Sequence, residues 1–508
     1  MKIKTAHLLS AGFLLLFLPC AMFLLFWLRP TVGIPAFLLL GAGLFCALRF
    51  LRRTCGDRTL ELSRGVLALV LFVPLLWAVC SGQGAFVPQK WDMIWRNAVF
   101  RDLITHDWPV LYNSGQYALV YYIGHWLIPA GLGKILLPVL GLDAVWRIAN
   151  IALLLWTCLH LWVTLLLCLA ALGSAKIKDA AVVLAVFIFF SGMDYVGLIL
   201  VHGLPLKQHQ LAHIEWWQAP FQYSSMTTQL GWVFNQSVPA WLAVMLYISL
   251  RKRVTLFAQI LAFMLLSAPF PAVGLAVFMT ADGFRLFFQA IRTHRVFSFF
   301  RDVFSIPNIV SAAVLLPVIY LYYSSNIAVQ NMSTTMPESM AGDMQFFWYL
   351  GFLRSKLPLF WIIEFGALAC FLGMIYRRRF LFITAAVSLL IIPCFINRSW
   401  DLVMRVSIPG LFVLMFLTIR LLTRDVRLMP RKGKILRMPR CGLPACAAVF
   451  ILLAGSMTAV TEFAATFRET KKYDMFTLDN ADSPNPNFMA GNFRETPFFR
   501  LLAAKKQE

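Results

Sequence analysis

Runs of roughly 20 apolar residues, each long enough to cross about 30 Å of hydrocarbon, recur along almost the whole of this 508-residue chain. Nothing else constrains the fold as strongly. With 60% hydrophobic residues and a mean hydropathy of +0.74, there is too little polar surface to cover a soluble core. The runs are 8–28, 32–50, 64–80, 144–172, 179–200, 231–250, 254–268, 270–288, 306–325, 358–376, 379–397, 408–422 and 442–463. The expected fold is therefore all-α, a polytopic transmembrane helical bundle of about thirteen spans. The first run resembles a signal peptide, but no small-residue cleavage site follows it, and Trp27-Leu28-Arg29-Pro30 leads directly into the next run.

The net charge of +22 is explained by its distribution. If the apolar stretch 118–138 does not cross, 27 basic and 6 acidic residues fall on one side, leaving 18 and 17 on the other, out of totals of 45 and 23. The positive-inside rule then puts the N-terminus in the cytoplasm, the C-terminus outside a plasma (inner) membrane, and 118–138 in a shallow or re-entrant helix on the outer face. Nucleic acid is not needed as a partner. Ser267-Ala268-Pro269-Phe270-Pro271 forces a turn between two short spans. The chain divides into two N-terminal spans with a basic loop (1–63), a main membrane unit (64–463) with outer loops 81–143, 201–230 and 326–357, and a short tail (464–508). Most of the ten cysteines lie in apolar runs or basic loops, which excludes a disulfide framework.

The loop after residue 80 carries Trp, Tyr and spaced charges instead of slack Gly and Ser. From Trp91 the apolar residues Met93, Ile94, Val99, Phe100, Leu103 and Ile104 alternate with Asp92, Arg96, Asp102 and His106. That pattern predicts an amphipathic helix on the membrane surface. Trp108-Pro109-Val110 follows, then Leu119-Val120-Tyr121-Tyr122 in an apolar helix, the turn Gly141-Leu142-Asp143, and Ala144-Val145-Trp146-Arg147 opening a span.

This order resembles the first outer loop of the GT-C superfamily, integral membrane glycosyltransferases that use polyprenyl-phosphate sugars. The resemblance implies a GT-C-like fold and a catalytic carboxylate at Asp92, with Asp102 as the alternative and Arg96, Tyr121 and Tyr122 beside the substrate. It implies a polyprenyl-phosphate-linked sugar donor among membrane lipids, and a cell-envelope glycan, glycolipid or lipid carrier as acceptor. The chain departs from the commonest family pattern in lacking a paired Asp-Glu. The chemistry is consistent: sugar transfer from phosphate passes through an oxocarbenium-like state, and the acceptor hydroxyl must lose its proton to a nearby carboxylate.

Two further stretches are candidates. In His202–Trp241, Glu215, Trp216, Trp217 and Tyr223 read equally as a carbohydrate-facing surface or as an interfacial anchor. His209 and His213, four apart with Glu215 nearby, have the spacing of metal ligands on a helix, and a divalent cation such as Mg2+ or Mn2+ is the only cofactor this leaves room for. In Asn397–Pro409, Arg405 stands four residues before Pro409 at a helix start, suited to a lipid phosphate, or alternatively paired with Asp401. Asp194 and Glu364 lie within spans, where ionisable groups are costly and mark functional sites. The rival reading is a transporter or flippase of a lipid-linked sugar, although no internal repeat is visible.

Overall fold

A computed structural model describes residues 1–56, 58–112, 116–207, 210–211, 213–334, 354–395, 400–426, 442–468, 480 and 485–504, without the side chains of 331–334, 400, 401 and 486. Among the described residues, ten helices are long and apolar enough to cross a membrane, and two shorter apolar helices, Arg64–Cys80 and Phe380–Phe395, accompany them. The chain is thus a multipass, all-helical membrane protein. Local chemistry sets many helix starts. Ser63, Ser225 and Ser305 accept backbone N–H groups of Val66, Thr228 and Asn308, and Pro30 occupies the first turn of Pro30–Cys55.

The innermost helices are Met226–Leu250 and the segment Leu402–Asp425, buried on nearly every face, whereas Pro30–Cys55 and Gly442–Arg468 turn large apolar surfaces outward. At one end of the bundle the segments around residues 50, 251–253, 285 and 380, each with neighbouring arginines in sequence, come together. Arg253 lies over Phe50 and Arg285 over Phe380, while Arg251 and Arg285 share the fully buried Asp282 at 2.8 and 2.7 Å. The opposite end holds the irregular segments. There a small antiparallel sheet joins Leu111–Tyr112, Tyr117–Leu119 and the tail strand Met489–Gly491, and the tail continues to a bridge between Leu28 and Ala503.

The helix Gly124–Leu172 breaks at Gly141, whose φ of 71° and ψ of 167° suit only glycine. His125 Nε2 meets Thr157 Oγ1 at 3.0 Å although the two are 32 residues apart; one continuous helix would hold them about 48 Å apart. The two legs therefore fold back side by side about Gly141. The first leg begins beside Leu266, whose carbonyl accepts the Gly124 N–H. The expected turn near 267–271 is also present: Phe257–Leu265 stops, Ala268 leaves helical geometry, and Pro269–Arg292 begins.

Two expectations are corrected. Leu119–Tyr122 does not lie in the apolar helix: Leu119 ends the strand Tyr117–Leu119, paired with the tail, and the helix begins only at Gly124. Met93–Thr105 is not a half-exposed surface helix; ten of its residues, from Met93 to Ile104, are buried, Arg96, Asn97, Arg101 and Asp102 included. The tail covers its polar face, Asn480 donating to Asp102 at 2.7 Å and Phe488 packing on Trp95.

Candidate functional site

Several helices start, break or turn around one point. Met93–Thr105 starts there, Val233 (φ −134°, ψ 31°) interrupts Met226–Leu250, the chain turns before Pro269, and Trp400–Val406 gives way to Ile408–Arg420 at Ser407. Irregular backbone is tolerated inside a membrane only against protein or a water-filled space. Here it surrounds a cavity of about 820 Å³, into which Asp92, Arg96, Tyr121, Tyr122, His213, Glu215, Trp216 and Arg405 all project. Eight of the residues singled out in the sequence, from four separate segments, thus share one site.

Asp92 sits at the start of its helix, and its Oδ2 accepts from Arg96 Nη2 at 2.6 Å, one turn along. Arg96 is 4% exposed and Asp92 retains 32% of its side-chain surface. Arg96 Nη1 is buried with no partner, a donor left over for a ligand. Arg405, also buried, donates from Nη1 to the Tyr122 hydroxyl at 2.7 Å, its guanidinium 5.5 Å from the Tyr122 ring and 5.7 Å from that of Phe270. The Tyr122 hydroxyl in turn accepts from Tyr121 at 2.5 Å.

The opposite wall is acidic. Glu215 accepts the Ser225 N–H at 2.8 Å and the Gln222 side chain at 2.9 Å. Burial, with Asp194 and Glu462 adding negative charge, outweighs these donors and pushes its carboxyl up to about 8. His213 stacks on Trp216 at 4.5 Å, and burial lowers its proton affinity. Glu462, from the distant helix Gly442–Arg468, binds Lys90 at 2.9 Å and the Trp232 indole at 3.1 Å. Sequence reading passed over Glu462, Lys90 and Trp232; a carboxylate within an apolar run was the available signal for the first.

Other candidates stand elsewhere. Asp102 is fully buried and held by Arg101 (2.9 Å), Tyr112 (2.8 Å) and Asn480; it anchors the tail instead of facing the cavity. Trp217 donates to Glu364 at 2.7 Å, and Tyr223 to the Leu389 carbonyl at 2.6 Å. The carbohydrate-facing surface expected of residues 215–223 therefore reduces to Glu215, Trp216 and Gln222. His209 and the Asp401 side chain lie outside the described residues. Among those described, no group of three or more His, Cys, Asp or Glu residues is placed to hold a metal.

The Glu215 shift has a measurable consequence. Its folded-state proton affinity exceeds the ordinary carboxyl value of 4.5, so its stabilising contribution is complete below that pH and is lost as pH rises to about 8. The thermal midpoint of the detergent-solubilised chain is expected to fall across this window, and the Glu215→Gln variant to lose that component of the slope. Equal slopes in the two proteins would refute the assignment. Compared with protein-family models, curated proteins and solved structures, this chain matches none.

Proposed function

We propose that the chain is a membrane glycosyltransferase that moves a sugar from a polyprenyl-phosphate donor to a lipid-linked or glycan acceptor, working at the face of the membrane opposite its basic clusters. The observation that carries this reading is the meeting of Asp92, Arg96 and Arg405 in one aromatic-walled cavity. Its volume falls in the range of small-molecule sites. The two guanidiniums suit a phosphate, because planar forked donors match its oxygens. Trp91, Trp95 and Trp216 offer faces for sugar C–H bonds. Asp92 is positioned by Arg96 and open on its other side, as a base toward an acceptor hydroxyl must be.

In this mechanism the donor phosphate lies between Arg96 and Arg405. The bond from the anomeric carbon to the phosphate oxygen breaks as the acceptor oxygen bonds to that carbon, and the hydroxyl proton passes to Asp92. The polyprenyl phosphate leaves as a dianion, its added charge opposed by the two arginines. The site supplies these groups from the protein alone; the resemblance to GT-C enzymes points the same way.

A lipid-linked-sugar transporter is the second reading, favoured by two carboxyl groups that meet at membrane depth, Asp194 and Glu364. The full chain in liposomes, supplied with radiolabelled polyprenyl-phosphate hexoses and pentoses and a bacterial glycolipid extract, decides between them. Label should appear on the acceptor. Movement of intact donor across the bilayer with no broken sugar–phosphate bond would overturn the transferase reading.

A further inference from the structure

Behind the cavity wall, where Ile177–Phe189 ends and Asp194–His202 begins, four residues interrupt the helical run. Against this break lies the wider helical turn Ile362–Gly366, and the Met193 N–H is donated to the Ile363 carbonyl at 3.1 Å. Asp194 and Glu364 face each other there, 0% and 4% exposed and within hydrogen-bond reach. One oxygen of each is fully supplied. Asp194 Oδ2 accepts from Ser191 at 2.8 Å and Thr458 at 2.7 Å, and Glu364 Oε1 accepts from the Trp217 indole at 2.7 Å.

The other two oxygens, Asp194 Oδ1 and Glu364 Oε2, are buried with no donor. Glu364 Oε2 occupies the space that a side chain at Gly192 would need, so the glycine permits the approach. No basic side chain among the described residues pairs with either carboxyl. Of the titratable or charged groups on the surrounding elements, Glu215 and Tyr223 interact electrostatically with Glu364. Lys356 donates to the Ala219 carbonyl at 3.1 Å, and Glu462 is bound by Lys90. Two carboxylates cannot both be ionised in contact at this depth without a cation between them.

We infer that Asp194 and Glu364 hold a single proton between Oδ1 and Oε2, forming a proton site within the membrane whose charge is felt by Glu215 in the cavity. The link to the cavity is short: Glu215 lines it, and Trp217, two residues on, donates to the pair. A negative ligand charge near Glu215 strengthens the pair's hold on its proton, and loss of that proton opposes ionisation of Glu215. The inference does not depend on whether the cavity transfers sugars or transports them.

Dicyclohexylcarbodiimide tests it, because this apolar reagent reacts with protonated carboxyls inside membranes. The carboxyl proton moves to a carbodiimide nitrogen, the carboxyl oxygen bonds to the central carbon, and the acyl group then shifts to nitrogen, leaving a stable N-acylurea. Mass spectrometry of the labelled full chain in liposomes at pH 7 should find, apart from any adduct on the protonated Glu215, one adduct on the pair, on Asp194 or Glu364, fading as pH rises. In Asp194→Asn the amide donates directly to Glu364 Oε2, so labelling of Glu364 at pH 7 should drop at least about tenfold, the change expected for a shift of about one pH unit. Glu364→Gln should do the same to Asp194, and Glu215→Gln should move the labelling midpoint of the wild-type pair to lower pH.

Absence of an adduct on either carboxyl from pH 5 to 8 would overturn the proposal, as would undiminished labelling in both variants. Protection when NaCl replaces choline chloride would assign the gap to sodium and also overturn the proton reading. An unmoved midpoint in Glu215→Gln would remove the coupling to the cavity.

Discussion

Asp92→Asn is expected to lower sugar transfer by about 10²- to 10⁴-fold, the range associated with loss of a general base, while the protein remains folded and inserted. Three carboxyls line the cavity, and their surroundings separate them. Glu215 stays protonated up to about pH 8, so at neutral pH it donates a proton more readily than it takes one. Glu462 is committed to Lys90 and Trp232, with a side chain 13% exposed. Asp92, at 32%, is the most open of the three, and only its Oδ2 is engaged by Arg96.

Asparagine keeps the shape and an acceptor for Arg96 but has no basic oxygen. It also leaves the buried guanidinium without a counter-charge, and breaking a buried pair outright costs about 3–5 kcal/mol. The thermal midpoint must therefore be measured beside the rate. A large rate loss with a small shift in midpoint assigns the effect to chemistry, and equal collapse of both assigns it to the Asp92–Arg96 pair as a structural link. Full transfer by Asp92→Asn would remove Asp92 from catalysis.

How much of this was readable in advance depends on range along the chain. Spans, caps and proline breaks are local, so the membrane class and the turn before Pro269 follow from short stretches. The meeting of Asp92, Glu215 and Arg405 was also within reach, because polar residues in an apolar chain have few places to go. Pairings between distant segments were not. Nothing in Met489–Gly491 announces that it completes a sheet with Tyr117–Leu119, nor does Asn480 announce a bond to Asp102, 378 residues away.

Those two contacts explain the misread helix. Periodicity reports a polar face on Met93–Thr105 without saying whether water or protein lies against it, and here the tail does. Asp102 stood as the alternative to Asp92 for the same reason. The two are ten positions apart on one helix, but one opens on the cavity and the other is closed off by Tyr112 and Asn480.

Arg405→Lys is expected to raise the donor KM by about 10- to 100-fold with a smaller change in kcat, since losing one charge-assisted bond costs roughly 1.5–3 kcal/mol and about 1.4 kcal/mol is tenfold in binding. Charge is conserved in this variant, so the effect isolates geometry. The guanidinium lies 5.5 Å from the Tyr122 ring and 5.7 Å from the Phe270 ring and is fixed by the Tyr122 hydroxyl, whereas an ammonium cannot lay a planar face against a ring or present a fork to two phosphate oxygens. The backbone holds it in place as well. Gly274 has no side chain to meet the Val406 carbonyl, which lets Pro269–Arg292 press against the break after Arg405. Tyr122→Phe removes one hydroxyl and leaves the stack, so its KM should rise only severalfold, in line with the roughly 0.5–1.5 kcal/mol of a single hydrogen bond. An unchanged donor KM in Arg405→Lys would place the phosphate elsewhere, with Arg96 then the remaining guanidinium in the cavity to hold it.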